Sequence, residues 1–145
     1  MRKRGINVAV SNQGISGDTT AGMLNRLDSA VPDGTRVVIF DSPAANDGNN
    51  GKKAHSGVID HDGNVRTIIE RLRARGIAVV ALGPATDAPI AESAGASYCG
   101  RLYQGVAQED LAGPRAGMIH PNPKGHAAIA ARILPCAMRA LGKKG

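Results

Sequence analysis

Three short runs of apolar, mostly β-branched residues recur along the chain, Ile6 to Val10, Val37 to Phe40 and Ile77 to Leu82, with helical periodicity between them. That alternation constrains the fold more than any other feature. Such runs, bounded by turn residues, read as buried strands. Strands that alternate with helices imply a parallel sheet covered on both faces. The first intervening helix carries Met23, Leu24, Leu27 and Val31 on one face, with Asp18 or Thr19 as its cap and Pro32-Asp33-Gly34 as its stop. The second presents Val65, Ile68, Ile69 and Leu72 and closes at Arg75-Gly76. A short fourth strand is expected from Ala96 to Cys99. A last helix starts at Asn122 with Pro123 in its first turn and faces inward through Ile129, Ile133, Leu134 and Leu141. Pro135 is expected to kink that helix or end its first part. Residues 41–57 are rich in Gly, Asn, Ser and Pro and read as a long functional loop. Residues 100–119 read as mostly irregular. The expectation is one α/β domain over residues 1–145, with a sheet of about four strands.

The charge balance excludes less than it first suggests. The chain has 18 Lys and Arg against 12 Asp and Glu, a formal charge of +6. Arg2, Lys3, Arg4, Lys143 and Lys144 lie at the ends, and without these five the body holds 13 basic and 12 acidic residues. A nearly neutral body gives no footprint for nucleic acid. With 1 Phe, 2 Tyr and no Trp, binding by aromatic stacking is also excluded. No apolar run approaches the ~20 residues that span a bilayer. The basic start leads into no apolar signal segment. A cytoplasmic location is therefore expected for the chain as given, and a periplasmic or secreted one if residues precede it. Cys99 and Cys136 match no zinc spacing and read as two buried thiols, or as a disulfide in an oxidising compartment.

In parallel sheets, sites form at the carboxyl ends of the strands. Segments 11–19, 41–57 and 83–95 leave from those ends. They carry Asn12, the turn Gly14-Ile15-Ser16-Gly17-Asp18-Thr19-Thr20, and Asn46-Asp47. Ile119-His120-Pro121-Asn122 with Gly125-His126 follows further on. In order and spacing these residues resemble the SGNH (GDSL) hydrolase family of esterases and lipases, from about Ile6 to Leu141. The resemblance implies a three-layer, flavodoxin-like fold and serine-type acyl transfer. It implies that the Gly17 backbone N–H and the Asn46 side-chain amide form an oxyanion hole, with His120 as general base. No cofactor is implied, and the substrate is a small acyl ester.

The departures from that family are as informative. No Gly-Asp-Ser-Leu block is present, so the strand that carries the family's nucleophile has no counterpart. Gly117 stands where the family has the acidic residue that orients the histidine, and Pro43-Ala44-Ala45 replaces glycines before Asn46-Asp47. Ser11, at the end of the first apolar run, is the best replacement nucleophile; Ser16 and Ser42 read as turn serines that bond to backbone. Asp18, Asp41 and Asp47 read as capping, loop and turn residues. His126 reads as a surface residue of the last helix. His55 and His61 flank Asp60 and Asp62 in the Gly-rich loop, a pattern that invites a metal but lacks a rigid frame. Two functions remain: an ester hydrolase, or a non-catalytic relative that associates with a partner chain. Without the missing strand, Ile6–Val10 must pair directly with Val37–Phe40, or the open edge must favour association of copies.

Overall fold

The helical faces and apolar runs assemble around a parallel sheet. The computed structural model describes residues 5–53, 59–111 and 120–142, with backbone only for 49–53. Three strands, β1 (Val37–Asp41), β2 (Ala78–Leu82) and β3 (Ser97–Tyr98), lie in the order β1-β2-β3. Val37 pairs with Ala78 and Asp41 with Leu82, so the carboxyl ends of β1 and β2 are flush. Five helices accompany them: α1 (Thr20–Ala30), α2 (Ala44–Lys53), α3 (His61–Ala74), α4 (Ala88–Ser93) and α5 (Pro123–Ala140). The chain is thus an α/β protein.

The pleat divides the core. Val79 and Ala81 of β2 join Phe40 of β1 in a buried cluster with Leu27 of α1, with Val65, Ile68, Ile69 and Leu72 of α3, and with Ala91 of α4. Leu82, one residue out of phase with Ala81, instead meets Ile129 and Ile133 of α5, as alternate strand positions point opposite ways. Local chemistry sets the helix ends. Thr19 caps α1 through the Gly22 N–H at 3.1 Å. Asp60 caps α3, and Asn122 caps α5.

Three expectations are corrected. Among the described residues the sheet has three strands rather than four. Ile6–Val10 forms no strand, and Val10 is 84% exposed. A β-branched run becomes a strand only when a neighbouring backbone accepts its hydrogen bonds. Here an apolar groove lined by Val8, Val10, Ile39, Ile133 and Leu134 separates it from β1. Second, residues 44–53, expected in a loop, are α2. Its Gly and Asn content disfavours a helix, but its first turn is tied down by tertiary bonds described below. Residues 83–95, which leave from a strand end as expected, hold a 3₁₀ turn, Ala85–Asp87, and α4. Third, of the two outcomes expected at Pro135, a kink or an end, the end is overturned: α5 runs unbroken through it. Residues 112–119, with Gly117 and Met118, and residues 54–58, with His55, lie outside the described residues. Among the described residues, no helix is long and apolar enough to cross a membrane.

Cys99 and Cys136 form a disulfide that joins the end of β3 to α5 across 37 residues of sequence. Closing a loop of that size removes chain entropy from the unfolded state worth about 3–4 kcal/mol. Reduction with a phosphine, followed by urea denaturation, should lower stability by about that amount. An unchanged midpoint would show that the bond carries no load.

Candidate active site

The flush carboxyl ends of β1 and β2 open into a cleft of about 1210 Å³. Gly17, Ser42, Asn46, Gly83, Tyr103 and His120 line it. Three of the four residues expected at the site, Gly17, Asn46 and His120, are therefore brought to one cleft. Ser11 is not among the lining residues: it is exposed, and its hydroxyl accepts a bond from Gln13 Nε2 at 2.7 Å.

The turn before α1 forms one wall. Gly17 has φ 74°, a left-handed conformation that suits glycine. Asp18 follows it, receives the Thr19 N–H on Oδ1 and pairs with Arg26 Nε at 2.8 Å. Arg26 also donates to the Gln13 carbonyl, closing the turn. From across the cleft, Asn46 Nδ2 donates to the Asp18 carbonyl at 2.9 Å. An amide nitrogen carries two hydrogens, so this bond aims the group and leaves the second for a ligand oxygen. The wall behind Tyr103 is held by Arg132 of α5, which donates to the carbonyls of Cys99, Arg101 and Leu102. His120 is exposed and precedes the α5 cap by two residues. Asn122 fixes that approach by donating from Nδ2 to Asp110 Oδ1 at 3.0 Å.

Ser42, which lines the cleft, leads to a cluster that the residue pattern did not reveal. His61, expected in a loop, is the first residue of α3 and is partly buried. Its Nδ1 lies 2.6 Å from Asp47 Oδ2, and its Nε2 lies 3.0 and 3.1 Å from the two oxygens of Asp87. Ser42, the residue after β1, places Oγ 3.2 Å from His61 Nε2 and donates to Asp87 Oδ2 at 2.5 Å. Asp47 is buried within α2 rather than in a turn, and it accepts both the Thr20 N–H and the Thr20 hydroxyl at 2.8 Å. Asn64 of α3 donates to the same hydroxyl at 3.0 Å. One carboxylate thus joins the N-terminus of α1 to α2 and α3. The helix dipole of α1 favours a negative group there.

An ionised carboxylate only accepts hydrogen bonds, so an arrangement with a carboxylate at each ring nitrogen favours the doubly protonated ring of His61. Burial of the ring works against its charge. The hydrogen bonds to Asp47 and Asp87, with their negative charges, outweigh it and raise the imidazole above its ordinary 6.5. His61, Asp62 and Asp87 each offer a donor atom within 4.8 Å of one another. With both ring nitrogens on carboxylates, this is a hydrogen-bonded cluster rather than a metal-ligand set. Gly83 is required beside it: a Cβ there would come within 2.9 Å of the Ser42 Cβ and 3.2 Å of Asp87 Oδ2.

Asp87 was not singled out by sequence, because nothing local marks it. His61 had a usable signal in Asp60, an N-cap three residues before Gly63, whose N–H it accepts at 3.0 Å. His126 is exposed on α5, as expected. Compared with known proteins, the chain matches no protein-family model and no curated protein.

Removing one member of a buried ion pair strands the other, at a cost of roughly 3–5 kcal/mol. Asp47→Ala should lower the urea-denaturation free energy by about that much, because it also strips the Thr20 N–H of its partner. The stabilisation by His61 should be complete below about pH 6.5 and fall as pH rises through the higher folded value. Equal stability of Asp47→Ala and wild type would contradict this role.

Proposed function

We propose that the cleft binds a small acyl ester and hydrolyses it by serine-type acyl transfer, on a three-layer, flavodoxin-like scaffold of the SGNH type. One observation carries this reading: Gly17, Asn46 and His120 come from three separated segments and line one cleft at the strand ends. In it, the Gly17 N–H and the Asn46 amide stabilise the negative oxygen that develops on the acyl carbonyl. A preorganised donor of this kind contributes about 2.7–4 kcal/mol in the transition state. The exposed imidazole of His120 lines the same cleft and positions the leaving alcohol and the entering water by hydrogen bonding. The Cys99–Cys136 bond fits an oxidising, periplasmic or extracellular setting.

The test is hydrolysis of p-nitrophenyl acetate. Asn46→Ala should lower kcat by about 100-fold or more, and His120→Ala, through lost positioning, by a factor on the order of 100. Turnover no faster than buffer, or turnover unaffected by both substitutions, would exclude the reading.

A second reading, a non-catalytic protein that associates through its sheet, rests on the edge of β1. Ile39 there is 49% exposed and faces the apolar groove against α5. Unpaired strand edges next to apolar surface favour association. Sedimentation should then show concentration-dependent dimers that Ile39→Lys abolishes. A monomer at all concentrations would exclude it.

A further inference from the structure

We propose that Ser42 is the acyl-accepting nucleophile of this cleft, with His61, oriented by Asp47, taking its proton. The inference rests on the ester-hydrolase reading and supplies the group that reading lacks. Among the described residues, Ser42 is the serine that both lines the cleft and contacts an imidazole, at 3.2 Å from Oγ to Nε2. The other side of that ring is held by a carboxylate at 2.6 Å, and that carboxylate is held in turn by two bonds from Thr20. Nucleophile, base and orienting acid therefore stand in the relative positions that a serine hydrolase needs. The sharp exit of β1 presents the hydroxyl: the Ser42 N–H still bonds to the Leu82 carbonyl at 2.9 Å, and the chain then turns into α2 through Pro43. Gly83 keeps the opposite strand end bare of a side chain, so that Ser42 can sit against it.

Asp87 makes this nucleophile conditional. While His61 is an imidazolium, Nε2 has no lone pair for the serine, and the hydroxyl donates to Asp87 instead. Four groups face the ring or its edge: Asp47 from α2, Asp87 from the 3₁₀ turn, Ser42 from the end of β1, and Asp62 beside it on α3. The carboxylates among them favour the protonated ring, so the competent form accumulates only at pH above the usual imidazole range.

The step from the neutral ring balances simply. Ser42 Oγ bonds to the acyl carbon as the carbonyl π electrons move to oxygen, and the hydroxyl proton passes to His61 Nε2. Collapse re-forms the carbonyl and breaks the bond to the alcohol, which leaves with that proton. Water then adds to the acyl carbon, giving its proton to Nε2. The acid departs as Ser42 recovers the proton.

A fluorophosphonate probe, with adducts located by peptide mass mapping, tests the assignment. Wild type should form one adduct, on Ser42. The adduct should be lost in Ser42→Ala and kept in Ser11→Ala. Its formation rate should rise with pH through a midpoint above 6.5, and Asp87→Asn should move that midpoint down. Ser42→Cys guards against misfolding: its thiol should react with iodoacetamide at least about 10-fold faster than the same thiol in Ser42→Cys with His61→Gln, since a neighbouring imidazole raises the thiolate fraction. An adduct on Ser11, or none on Ser42 anywhere in the neutral to alkaline range, overturns the proposal. Ester turnover that survives Ser42→Ala but falls in Asn46→Ala overturns it while leaving the ester-hydrolase reading intact. A Ser42 adduct without ester turnover upholds the nucleophile and overturns the substrate class.

Discussion

The imidazole of His61, held between the carboxylates of Asp47 and Asp87, is the interaction on which the rest of this structure depends. It gathers the end of β1, the first turns of α2 and α3 and the 3₁₀ turn after β2 onto a single ring. Through Thr20, Asp47 adds the N-terminus of α1. These are the segments that leave the carboxyl end of the sheet, and a parallel sheet alone would leave their polar backbone ends to solvent. A charged ring with two carboxylate partners holds them together at low dielectric, where such bonds are stronger and a missing partner is more costly.

The cleft follows from that knot. Asn46 precedes Asp47 in α2, so the anchoring of Asp47 also sets where the Asn46 amide meets the Asp18 carbonyl. Ser42 precedes the same helix, and its hydroxyl is caught between His61 and Asp87. The wall that carries His120 is built independently, from Arg132, the disulfide and the Asn122–Asp110 bonds. The ester chemistry proposed for the cleft therefore draws on two structural units, which also pack together where Leu82 of β2 meets Ile129 and Ile133 of α5.

Much of the scaffold is legible in local sequence. The faces of α1 and α3, the caps at Thr19 and Asn122, the stop at Pro32 and the runs that become β1 and β2 are decided within a few residues, where periodicity and capping act. The chemistry of the Ser42 cluster is not. His61 meets partners 14, 19 and 26 residues away in sequence, and no spacing rule links them. The same non-local bonds explain why Ala44–Lys53 is helical despite its composition: Asp47 is held from outside the helix. Ile6–Val10 shows the converse, since strong strand propensity yields no strand where, among the described residues, no ladder partner lies beside it. Pro135 is carried through α5 because neighbouring residues Ile133, Cys136, Ala137 and Met138 are buried, and that packing outweighs one lost backbone bond.

The charge state of one ring is thus the central quantity. Proton-detected NMR titration of the His61 imidazole in the intact chain reads it directly, with Asp47→Asn as the comparison. A value above 6.5 in the wild type, lowered in Asp47→Asn, is what the clamped imidazolium requires. A ring that titrates at or below 6.5, and is indifferent to Asp47, would contradict it.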